Sequence, residues 1–124
     1  DVLDRAVILL AEKIPTIELR SETDTYYVAE DDIVYGITMG RYVHVFLKDG
    51  TEVPILTTMF NFFDEISMFT HMVLLNERAM FNISYMEHFS PFKVTLKNGV
   101  TLKSSPFASQ NIKSALQAYH AETL

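Results

Sequence analysis

Cysteine and tryptophan are both absent from the 124 residues, and the first absence removes several kinds of chemistry. Without a thiol there is no disulfide, no thiolate nucleophile and no zinc–thiolate site, which fits the reducing cytoplasm. Long hydrophobic runs are missing too. No stretch approaches the roughly 18 consecutive apolar residues of a membrane span, and Asp1, Asp4 and Arg5 do not resemble the start of a signal peptide. The expectation is a soluble, unsecreted, cytoplasmic chain with no membrane partner. Only 4 glycines and 4 prolines occur. The glycines form neither G-x-G-x-x-G nor a phosphate loop closing on Lys-Ser/Thr, so nucleotide cofactors have no support. His44, His71, His88 and His120 are scattered, with no His-Glu-x-x-His pair, and are expected as surface or core imidazoles rather than metal ligands. Glu30-Asp31-Asp32 is read as solvated surface rather than an acid–base pair. No catalytic residue, metal or cofactor is expected, and the chain does not read as an enzyme.

Positive charge is also scarce: 10 Lys and Arg against 16 Asp and Glu leave a net charge of −6. That balance opposes nucleic-acid binding, whose sequence-independent affinity comes mostly from cations neutralising phosphates. The distribution is uneven. Residues 1–65 hold 13 acids and 5 bases, whereas residues 66–124 hold 3 acids and 5 bases. A locally positive face on an acidic body is therefore open, beside the plainer reading of solvated surface charge.

What is present is a folding chain. At 48% hydrophobic and 12% aromatic residues, with the length of one domain, it can bury a core. Leu3, Val7, Leu10 and Ile14 have helical spacing up to Pro15. This predicts a helix over 1–14, either a linker from an upstream domain or a helix docked on this one. From Thr16 the period becomes two. Residues 16–20 and 25–28 read as a hairpin, 33–38 as a third strand ending at Gly40, and 42–47 with 51–56 as a hairpin closed by Lys48-Asp49-Gly50. Pro54 assigns the return strand to an edge. Met59, Phe62, Phe63 and Ile66 predict a helix capped by Thr58. Residues 72–75 and 83–86 are read as strands around an exposed loop, Asn76-Glu77-Arg78. Residues 92–96 and 100–103 form a hairpin around Lys97-Asn98-Gly99, and Ser105-Pro106 opens a last helix presenting Ala108, Ile112, Ala115, Leu116 and Tyr119. The fold class is mainly β, with small antiparallel sheets and hairpins and one mid-chain and one C-terminal helix.

Several phrases, in order, resemble the LytTR family of bacterial response-regulator output domains. Tyr27-Val28-Ala29-Glu30-Asp31-Asp32-Ile33-Val34-Tyr35 is similar to its "yv…ddIlYie" segment, and Val45 through Gly50 to its "v.l.dG" hairpin. Thr58-Met59 with Phe62 and Ile66 resembles its "tL.ele..L" helix. Asn76 through Met86 falls at "HRSyivNl.yI", and Val94 through Gly99 with Leu102 and Ser105 at "v.l.nG..lpvSr". The likeness spans roughly residues 16–118, with a LytTR-like domain expected over 15–124.

The resemblance implies an elongated sandwich of small sheets whose loops, rather than a recognition helix, enter DNA grooves. It implies double-stranded DNA as partner, transcription regulation in a two-component system, an upstream receiver or sensor domain, and room for a homodimer. Carried over by position, the loop contact after the third strand falls on Arg41, the His-Arg-Ser triplet on Asn76, Glu77 and Arg78, and the Ser-Arg pair on Ser105 and Pro106. Arg41 suits guanine or phosphate and Asn76 adenine. Glu77 would repel phosphate, though it could accept from a cytosine amino group, while Pro106 offers no side-chain donor. Arg78 could restore the positive charge. Lys93, Thr95 and Lys97 share a strand face with Lys103 opposite. The DNA-binding set is thus Arg41, Asn76, Arg78, Lys103 and Ser105. The alternative is a degenerate LytTR-like domain used for protein interaction or dimerisation without DNA binding, and an unrelated β-rich ligand-binding domain is a third reading.

Overall fold

The structure is a computed structural model describing residues 14–123. The helix expected over 1–14 lies outside the described residues except for Ile14. Ten strands and two α-helices follow: β1 (Thr16–Arg20), β2 (Thr25–Ala29), β3 (Ile33–Met39), β4 (Tyr42–Leu47), β5 (Glu52–Leu56), α1 (Met59–Glu65), β6 (Met72–Asn76), β7 (Ala79–Asn82), β8 (Met86–Ser90), β9 (Lys93–Leu96), β10 (Thr101–Lys103) and α2 (Pro106–Thr123). All strand pairs are antiparallel. β1–β2 is a two-stranded sheet, β5-β4-β3-β7-β6 a five-stranded one, and β10-β9-β8 a three-stranded one.

The five-stranded sheet sits between two cores, which is why it can be built from so short a chain. Val43, Val45 and Val53 turn one face toward Leu19 and Val28 of the first hairpin and toward Met59, Phe62 and Ile66 around α1. Val73, Leu75 and Phe81 turn the other face toward Val94, Leu96 and Leu102 of the third sheet and Ala108 and Ile112 of α2. The apolar stripes of both helices meet the sheet as their periodicity predicts. Thr58 caps α1 by accepting from the Asn61 N–H at 3.2 Å, and Pro106 occupies the first position of α2, where its missing N–H costs nothing. β5 is an edge strand, as Pro54 requires.

One strand was misplaced by sequence reasoning. Residues 83–85 form a 3-10 turn, and the strands flanking it are β7 and β8. The reason is burial on both faces. Met80 belongs to one core and Phe81 to the other, so Ala79-Met80-Phe81-Asn82 is wholly buried and shows no polar alternation.

Asn82 is the one buried polar residue among those described. Its amide donates to the carbonyls of Glu30 and Ile33, both at 3.0 Å. Its Oδ1 accepts from the Ser84 N–H at 3.0 Å and the Ser84 hydroxyl at 2.7 Å. A polar side chain survives at this depth because each of its groups is satisfied. It ties the end of β7 to the turn before β3 and starts the 3-10 turn that displaces the expected strand.

Candidate nucleic-acid interface

Antiparallel pairing brings three connections to one end of the five-stranded sheet. Met39 pairs with Tyr42 and Tyr42 with Leu56, so the β3–β4 turn lies beside the β5–α1 connection. Ile37 pairs with Ala79, which puts the β6–β7 turn there too. The β3–β4 turn is Gly40-Arg41. Gly40 takes φ +61° with open space around it while Arg41 keeps a negative φ, the pattern of a type II′ hairpin, and Arg41 is exposed at its tip.

The β6–β7 turn is Glu77-Arg78, closed by the Asn76–Ala79 pair. Asn76 shapes it: its Oδ1 accepts from the Arg78 N–H at 2.8 Å, an Asx turn. Its amide nitrogen reaches toward the Lys103 carbonyl at 3.5 Å, which brings the third sheet to the same end. Thr38 holds the turn from β3, its hydroxyl donating to the Glu77 carbonyl at 3.1 Å and its N–H to the Arg78 carbonyl at 2.8 Å.

Two adjoining grooves result. The larger, about 830 Å³, is lined by Arg41, Glu77 and Arg78 with Thr38 and the start of α1. The smaller, about 420 Å³, is lined by Asn76, Arg78 and Lys103 with Tyr35 and Thr38. Arg78 and Thr38 belong to both. Four of the five residues expected from the sequence, Arg41, Asn76, Arg78 and Lys103, thus gather around a continuous pair of grooves. Ser105 does not line either groove. It is half-buried before α2, where its carbonyl accepts from the Ala108 N–H at 3.0 Å.

Arg20 pairs with Glu18 at 2.8 Å and Lys48 with Asp32 at 3.3 Å. Among the described residues no ion pair engages Arg41, Arg78, Lys93 or Lys103 at this end, nor Lys97 and Lys113 elsewhere, and Glu77 is the single acid lining either groove. Lys103 stands directly opposite Lys93 across the β9–β10 ladder. Like charges in that position destabilise a sheet unless an anion lies over them. Tyr35, in the floor of the smaller groove, stacks on Phe46 with ring centroids 4.4 Å apart. Burial, with the Glu52 carboxylate adding to it, pushes its phenol up, so it stays a neutral donor.

Sequence reasoning missed Thr38, whose two bonds fix the second turn, and Leu56 and Phe60, which are 60% and 57% exposed along the larger groove. A threonine in a strand-like run carries no local sign of such a role. Phe60 stands off the helical stripe and was legible only as a position outside it. Of the expected imidazoles, His71 lies between Glu30 and Glu122 and His44 bonds Glu52 at 2.7 Å. No group of three or more metal-ligating side chains forms among the described residues. No helix among them is long and apolar enough to cross a membrane.

No protein-family model matches the sequence, and no curated protein matches it either. Among solved structures the chain is similar to the LytTr DNA-binding domain assigned to a methyl-accepting/DNA response regulator from Bacillus cereus. The TM-score is 0.65 at 11% identity, over 82% of this chain and 95% of that one. The fold is therefore LytTR-like.

Proposed function

We propose that the chain is a DNA-binding output domain of a bacterial transcriptional regulator, held to duplex DNA by the side chains around the two grooves. The carrying observation is the collection, at one end of an acidic molecule, of cations from separate turns and strands that form no ion pair. Arg41 and Arg78 are exposed at hairpin tips. Lys103, with Lys93 beside it, meets phosphates, and Asn76 positions the tip that carries Arg78. Ser105, behind these, completes the expected set. In this reading the domain works in the cytoplasm as part of a two-component response regulator, joined to a receiver or sensor domain, and two copies reading repeated half-sites would form a homodimer on DNA. The likeness to a DNA-binding domain of the same fold supports this reading.

The test is fluorescence titration of a random-sequence duplex pool across salt concentrations. With about four phosphates engaged, log K should fall with log salt at a slope of about −3 to −4. Arg41→Ala should weaken binding by about 1–3 kcal/mol. Binding that ignores salt, or self-association by light scattering without duplex binding, would move the function to protein interaction.

A further inference from the structure

The anomaly of the interface is Glu77, a carboxylate at the tip of a hairpin whose neighbours are Arg41 and Arg78. Toward phosphates it is repulsive, and among the described residues it forms no ion pair with either arginine. A carboxylate brought against DNA recovers its lost hydration only from a hydrogen-bond donor. In the major groove the donors are the amino groups of cytosine and adenine. Adenine sets its acceptor N7 beside the amino group, where a carboxylate meets repulsion. A C·G pair instead sets the cytosine amino group beside guanine O6 and N7, so that a carboxylate and a guanidinium side by side match it.

The turn carries those two side chains on consecutive exposed residues. Glu77 and Arg78 are its two central residues, so their Cα atoms are about 3.8 Å apart. Both carbonyls are held by Thr38 and the Arg78 N–H by Asn76. The backbone is thus set before any ligand arrives, and only two side chains remain to be ordered. We infer that this tip reads one C·G base pair in the major groove, Glu77 accepting from the cytosine amino group and Arg78 donating to guanine O6 and N7. Glu77 is then a specificity residue, exchanging phosphate attraction for base discrimination. The inference rests on the proposed DNA binding and names the base pair that its central hairpin selects.

Selection from a random duplex pool, run in parallel with the native chain and Glu77→Ala, tests it. The native chain should enrich a position fixed as C·G, and Glu77→Ala should lose at least about fivefold of preference there, the low end of what a base contact is worth. N4-methylcytosine, which blocks the major-groove donor while keeping the Watson–Crick pair, should weaken the native chain by a similar factor and leave Glu77→Ala unaffected. Unchanged preferences in Glu77→Ala, or uniformly tighter binding to every duplex, would overturn the inference while leaving DNA binding standing. Failure of the native chain to bind any duplex in a salt-dependent way would remove both.

Discussion

Replacing Lys103 with glutamate separates a functional cation from a structural one, because stability and binding should move in opposite directions. Lys103 faces Lys93 across the ladder with both side chains exposed, while Val94 and Leu102 beside them point into the core. The native pair is a like-charge contact and the variant an opposite-charge one. Each effect is worth about 0.2–1 kcal/mol in a sheet, so Lys103→Glu should gain about 0.5–1.5 kcal/mol of stability in low salt. For a domain of this length that raises Tm by roughly 2–6 °C. Binding should suffer, since a phosphate partner becomes a phosphate repeller: the log–log salt slope should become shallower by about 1. The backbone carbonyl that receives Asn76 is untouched. Thermal unfolding and duplex titration on the same preparations decide the matter. If the variant is less stable, or if it is more stable and binds DNA as well as the native chain, Lys103 does not lie under a phosphate and the interface has been drawn on the wrong face.

Asn82→Ala should cost about 3–5 kcal/mol in urea denaturation, because the buried Ile33 carbonyl loses its partner outright while three further bonds are exchanged for water; a loss under about 1 kcal/mol would refute it. Thr38→Val removes only the hydroxyl bond to the Glu77 carbonyl, so stability should fall by no more than about 1 kcal/mol while base preference in the duplex selection broadens. Asp49 is held below the ordinary carboxylate range by its side-chain and backbone hydrogen bonds with Thr51. Its ionised form therefore contributes stability above its ordinary value, and that contribution disappears as pH falls through the lowered one. Denaturant midpoints measured against Asp49→Ala should show an advantage at neutral pH that closes in acid, and an advantage unchanged down to about pH 2 would refute the role.

The hairpins and both helices were legible because their signals are local. Asp49-Gly50 and Asn98-Gly99 mark turns whose glycines take φ +92° and +88°, and the stripes of α1 and α2 repeat at the spacing of a buried helical face. β7 was not legible, since a strand buried on both sides has no alternation to read. The candidate residues were found by position, but whether they met was beyond any local signal. Arg41 and Arg78 are 37 positions apart and share a groove only because β3 pairs with both β4 and β7.

By itself, the order of residues determined most of the element types, the edge position of Pro54 and the Thr58 cap, all consequences of backbone preference and hydrophobic period. Tertiary structure decided which cations are left without an ion pair, which turn Thr38 holds, and that Arg41 meets Glu77 and Arg78 over a common groove. Those depend on strand register across distant segments, and register is set by which faces two cores bury together.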